Sequence, residues 1–168
     1  MKTIVSFLSI LLFTVQISAQ DKFELKPADA QKLKQQFEDN NYQENIILSY
    51  LKENYKVTSK KLDIKLDPDF DNKECGFTLK FEHGIVYTYH NCGEAKPVEE
   101  KILFPKVDKV TLQKWIETIE KANPAAADTN NVWYENETEF GPKDEGVGCY
   151  YKILPSKDKS IVEVWCGC

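Results

Sequence analysis

The chain has 168 residues, 42% of them hydrophobic and 29% charged, with a formal net charge of −5. That length fits one compact domain. The acidic balance disfavours nucleic acid and anionic membranes as principal partners. All 22 basic residues are Lys, so no guanidinium is available for bidentate recognition of phosphate or carboxylate.

Residues 1–19 read as a secretory signal peptide. Lys2 precedes an apolar run from Ile4 to Ile17, and Ser18-Ala19 supplies the small residues of a cleavage site. Ser6, Ser9, Thr14 and Gln16 interrupt the run, which argues against a stable membrane anchor. Export to the periplasm or the medium follows, and the lysine-only basic set with a short leader reads as bacterial. Residues 20–168 are then a single α+β domain. Removing the leader, which holds Lys2 and no acid, makes the balance one unit more negative.

Residues 27–54 read as two short helices. Pro27 suits a first helical position and Asp29 the positive N-terminal end, with Ala30, Leu33 and Phe37 at helical spacing. Asn40-Asn41 breaks the pattern. Tyr42, Ile46, Ile47, Tyr50 and Leu51 form a second stripe ending near Asn54. Leu62, Ile64 and Leu66 alternate with charged residues as a half-buried strand. Strands follow at 77–81 and 85–90, and a short one at 101–104 is ended by Pro105. Leu112, Trp115, Ile116 and Ile119 define a helix over 109–122, stopped by Asn123-Pro124. Residues 132–140 read as a strand and 141–148 as a loop. Two final strands occupy 149–154 and 161–166. No internal repeat is apparent. The fold expected is α+β, with two N-terminal helices, a mainly antiparallel sheet built from hairpins, and one further helix packed on it.

Five cysteines in an exported chain imply disulfide stabilisation. A turn at Lys157-Asp158 sets Lys152 opposite Glu163, Tyr150 opposite Trp165 and Cys149 opposite Cys166, at a close-spaced pair fit for a bridge. In the first hairpin, a two-residue turn at His83-Gly84 sets Cys75 opposite Cys92. A three-residue loop, Glu82 to Gly84, instead aligns Phe77, Leu79 and Phe81 with Tyr89, Tyr87 and Ile85 and misses the cysteine pair by one residue. The Cys75–Cys92 bridge is expected with either register. Cys168 is left as an unpaired tail, since a diagonal reach from Cys149 is about 7–8 Å.

Motifs for chemistry are sparse. Cys166-Gly167-Cys168 offers a soft-metal or thiol-exchange site only if Cys166 is unbridged. His90 and Cys92 share a strand face as the start of a zinc or thiol site, which a bridge at Cys92 removes. Asp67, Asp69 and Asp71 with Asn72 resemble the front of a calcium loop, but Thr78 stands where the closing glutamate belongs. Asn136-Glu137-Thr138 matches a glycosylation acceptor by chance. No cofactor is implied.

Residues 124–142 contain no Lys and carry Glu135, Glu137 and Glu139 beside Trp133. On a strand these four share one face, a ladder of like charges that gains from meeting water, a neighbouring lysine or a basic partner. The functional expectation is therefore an exported, non-enzymatic inhibitor or immunity-type protein. It would block a basic enzyme or toxin, with Trp133 as anchor and Glu135, Glu137 and Glu139 steering association. The alternatives are a carbohydrate-binding or cell-envelope module using Tyr87, Tyr89 or the Trp165 hairpin, and a small hydrolase using the carboxylates.

Overall fold

The computed structural model describes residues 23–40, 45–65, 74–91, 98–124, 130–144 and 146–167. The leader, the Asp67–Asn72 loop, Tyr42, Cys92 and Cys168 lie outside them, and with them the expectations they carry. Among the described residues no helix is long and apolar enough to cross a membrane.

Three helices form where side-chain oxygens end the preceding chain. Helix α1 (Ala30–Asp39) is capped by Asp29, whose carboxylate accepts from the amides of Gln31 and Lys32 at 3.0 and 3.1 Å. It therefore starts after Pro27 rather than at it. A carboxylate satisfies free N–H groups, whereas proline supplies only a preset φ. Asn45 caps α2 (Ile46–Asn54) through Leu48 N at 2.9 Å, and Asp108 caps α3 (Lys109–Ala122) through Thr111 N at 2.9 Å. The bounds of α3 are those the apolar spacing predicts, and its stripe of Leu112, Trp115, Ile116 and Ile119 is buried.

Eight strands follow: β1 (Leu62–Lys65), β2 (Glu74–Lys80), β3 (Val86–His90), β4 (Val98–Pro105), β5 (Asn131–Trp133), β6 (Glu139–Pro142), β7 (Gly148–Leu154) and β8 (Lys159–Gly167). They make one sheet in the order β1-β2-β3-β4-β8-β7-β6-β5, antiparallel at every described pairing. Helices α1 and α2 precede one four-strand meander and α3 precedes another, and the last strands of the two meanders, β4 and β8, pair at the centre.

The final hairpin has the expected register. Cys149 faces Cys166, Tyr150 faces Trp165 and Lys152 faces Glu163. Cys149 and Cys166 are bridged with their Cα atoms 4.1 Å apart, the spacing of a close pair. The first hairpin takes the three-residue loop, with Phe81 N bonding Ile85 O at 2.9 Å and both His83 and Gly84 at positive φ. Phe77, Leu79 and Phe81 thus align with Tyr89, Tyr87 and Ile85 on the core side, and Cys75 falls beside Asn91. Cys75 is itself disulfide-bonded, and its partner falls outside the described residues.

Leu33 of α1 and the apolar stripes of α2 and α3 share one core with one face of this sheet. Tyr50, Leu51, Leu112 and Ile116 bury against Tyr87, Ile102, Phe104 and Val162, and the Trp115 ring sits 5.3 Å from Phe104 and 5.6 Å from Tyr50. Burying each such side chain stabilises by about 1.5–3 kcal/mol.

Strand β4 is longer than 101–104 and includes Pro105, which pairs with Lys159, and two further segments depart from expectation. Leu62 is 55% exposed and pairs with Thr78, so it stands on the face away from the helices. At a sheet edge beyond the helices the alternation of β1 has no core to read against. Residues 132–140 are two strands with a turn between them. Asn136 Oδ1 accepts from the amides of Thr138 and Glu139 at 2.9 and 3.0 Å, and Glu137 adopts φ 51°. This side-chain turn outcompetes strand extension.

Gly76 shows how tightly the meander is set. A Cβ there would stand 2.3 Å from the Tyr89 carbonyl oxygen and 3.2 Å from His90 Cα, so backbone would have to move. Gly76→Ala is expected to destabilise the chain by about 1–3 kcal/mol, read from the urea midpoint; an unmoved midpoint would contradict this packing.

Candidate docking surface

A single strand over 132–140 would set Trp133, Glu135, Glu137 and Glu139 on one face; the structure separates them. Trp133 faces Phe140 on the helix side of the sheet, its ring 5.0 Å from that ring and its Nε1 donating to Glu117 Oε1 at 2.8 Å. Glu135 and Glu137 lie in the turn. Glu137 pairs with Lys109 from α3 at 2.8 Å, which holds its carboxyl below the usual range. Glu139 points to the opposite face from Trp133 and pairs with Lys152 at 2.7 Å, with the same effect on its carboxyl. The lysines absent from this stretch of sequence arrive from α3 and β7. Of the four, only Glu139 belongs to the sheet face that the helices leave open.

That open face is ordered in rows, since opposed residues in an antiparallel sheet project to one side. One row is charged: Lys101 on β4, Glu163 on β8, Lys152 on β7 and Glu139 on β6 follow each other across the sheet. Lys101 pairs with Glu163 at 2.8 Å, so the row is an alternating zipper rather than an acidic ladder. Thr78 and Thr88 extend it, their hydroxyls 3.2 Å apart.

A second row is apolar. Val86, Leu103, Ile161 and Leu154 oppose one another across β3, β4, β8 and β7, all half-buried with no helix over them. Leu62 joins the same face at the β1 edge.

The third row is aromatic and polar: His90, Glu99, Trp165 and Tyr150. The Trp165 and Tyr150 rings stack with centroids 5.6 Å apart and planes 6° from parallel. Tyr150 also lies over Gly141, where a Cβ would come 2.7 Å from its ring, and its hydroxyl bonds the Gly146 carbonyl at 2.8 Å. Tyr150 is thereby held from both sides, and it holds Trp165. Beside this ridge is a groove of about 330 Å³ lined by Thr88, His90, Glu99, Lys101, Glu163 and Trp165.

The helix-side face contains a different feature. Glu100 sits in the middle of β4, buried, and receives the Tyr87 hydroxyl at 2.9 Å. The Asn45 amide, whose oxygen caps α2, also hydrogen-bonds to it. Burial pushes its carboxyl up to about 7, against the opposing pull of both hydrogen bonds. Glu120 on α3 is a second buried carboxylate, bonded by Tyr151 at 2.7 Å and by Asn131, and burial raises it too. A cavity of about 270 Å³, mostly apolar, touches Glu100, Asn45, Asn123 and the Cys149–Cys166 bridge. Each buried carboxylate is satisfied by tyrosine and amide donors, a stabilising arrangement for a polar group in a core.

Tyr87 is fully buried and Tyr89 faces the helices, so neither presents a sugar-stacking ring. Among the described residues no group of three or more potential metal-ligating side chains converges. Cys166 is bridged, which removes the soft-metal and thiol-exchange readings of the chain end.

The sequence flagged Trp165, Tyr150 and His90 but missed Glu99, Glu100, Leu103 and Ile161. Their signal is parity. Ile102 and Phe104 face inward, as do Val162 and Val164, so Leu103 and Ile161 are apolar residues on the outward beat. Carried back along β4, the same beat puts Glu100 inside and Glu99 outside. No family model, curated protein or solved structure matches the chain.

Proposed function

We propose that this chain is an exported, periplasmic or secreted, binding protein of the inhibitor or immunity type, and that it engages a basic enzyme or toxin with the open face of its sheet. The carrying observation is the row of Val86, Leu103, Ile161 and Leu154 on that face. The solvent side of an antiparallel sheet is ordinarily polar. A band of branched aliphatics there, with a stacked Trp–Tyr ridge beyond the charged zipper that separates the two, puts apolar and aromatic side chains on an open face in the way an interface does. The ridge is pre-positioned by Gly141 and the Gly146 carbonyl, so little side-chain freedom is lost on docking. The Cys149–Cys166 bridge suits an oxidising compartment. The net charge of −5 favours a cationic partner through long-range attraction.

The carbohydrate alternative has weaker support. A sugar platform needs ring faces open to solvent; Tyr150 lies between Trp165 and Gly141, and the remaining face of Trp165 lines a groove rather than a flat platform.

The test is capture from the native host's medium or periplasm with the wild-type chain and with Leu103→Asp and Ile161→Asp. These outward positions tolerate charge without entering the core. The reading expects a protein retained by wild type and reduced at least about ten-fold by either variant, with unchanged circular dichroism. Equal retention by all three chains would reject it.

A further inference from the structure

We infer that the groove beside Trp165 is a receptor for a cationic side chain of the docked protein, preferentially an arginine. This deepens the open-face reading and rests on it. The groove, about 330 Å³, is large enough for one long side chain and too small for a folded element. One wall is the Trp165 ring. Its other face is occupied by Tyr150, so the ring is fixed and its remaining face is turned toward β4. Glu99 lies directly opposite Trp165 on β4, and His90 opposite Glu99 on β3.

The charges decide the occupant. Lys101, the one lysine among the described residues lining the groove, is engaged by Glu163 at 2.8 Å. Glu99 meets no described cation; its cross-strand neighbours are an imidazole and an indole. Among the described residues, the groove therefore sets a carboxylate that no cation pairs next to an immobilised aromatic face. A guanidinium satisfies both at once, with its plane on the indole and its N–H groups on the carboxylate. An ammonium matches the charge but not the plane. A neutral or anionic side chain would leave Glu99 uncompensated as water is expelled. The chain itself contains no arginine, so this recognition is directed outward.

The experiment uses the full chain with N-acetyl-arginine amide, and its neutral isostere N-acetyl-citrulline amide, followed by the Trp165 indole signal in NMR. The expected result is saturable, salt-sensitive movement of that signal with the arginine probe. The citrulline probe, and the arginine probe on Glu99→Gln, should each bind about five- to ten-fold more weakly. Glu99 is exposed, so the variant should fold normally, checked by its melting temperature. Equal response to both probes, no saturable response, or an unaffected Glu99→Gln would overturn the inference. The two levels separate in the capture assay. Partner retention lost with Leu103→Asp but undiminished with Glu99→Gln sinks the arginine receptor alone, whereas retention insensitive to Leu103→Asp sinks the docking face itself.

Discussion

Replacing Cys149 and Cys166 together by Ala is expected to lower the unfolding free energy by about 3 kcal/mol. The bridge closes a separation of 17 residues between the two strands of one hairpin. The hairpin's backbone ladder is complete without it, so the folded state keeps its register from Gly148 to Leu154. What changes is the unfolded chain, which regains the freedom of an open loop. Cys149 is also buried beside the helix-side cavity, and loss of sulfur there adds unfilled space. The variant should melt several degrees lower while retaining its strand content. A loss under about 1 kcal/mol would mean that the bridge only records a pairing already fixed by the strands. Reduction of the wild type is a less clean route, because Cys75 is also bridged.

Glu100→Gln is expected to flatten the pH dependence of stability and to raise stability at pH 8 by as much as about 3 kcal/mol. The folded-state pKa of Glu100 is raised from 4.5 to about 7, chiefly by burial. A carboxyl whose folded pKa lies above its unfolded value binds more protons when folded. Its favourable contribution is complete below pH 4.5 and is lost as pH rises through 7. Glu120 is shifted in the same direction. The wild type should therefore weaken between about pH 5 and 8. Gln keeps an oxygen to accept the Tyr87 hydroxyl and has no charge to bury. Chemical denaturation at pH 5 and pH 8 checks this. Coincident wild-type and variant slopes against pH would show that Glu100 does not titrate in this window.

The parts of the fold that were readable in the sequence are those where several independent pairings agree. In the last hairpin one register satisfies thiols, aromatics and opposite charges together, and no neighbouring register does. Helix α3 combines an Asp cap, a clean apolar stripe and an Asn-Pro stop. The failures have equally specific causes. The Glu135–Thr138 turn contains neither Gly nor Pro, and its driver is one side-chain oxygen on Asn136, so the segment reads as strand until the competing hydrogen bonds are seen. With that turn in place, Trp133 and Glu139 part to opposite faces. In β1 the alternation marks a strand, but which side is buried depends on where the helices end.

The proposed docking face was only half legible for a related reason. Alternation marks one side of a strand as core; on β4, β7 and β8 both sides carry apolar residues. Leu103, Leu154 and Ile161 then pass for strand-forming filler. Only the sheet order, with β8 between β4 and β7, lines them up as one row. The two-meander layout is hidden similarly, because the meanders share strand order and not side chains.

Hydroxyl-radical footprinting of the chain alone and with its captured partner measures the location of docking directly, residue by residue. The open-face account predicts that Trp165, Tyr150, Leu103 and Ile161 lose reactivity on binding, while Trp133 on the helix side keeps its own. Protection confined to Trp133, the Glu135–Glu137 turn or the helices, with the open-face residues as reactive as before, would contradict it.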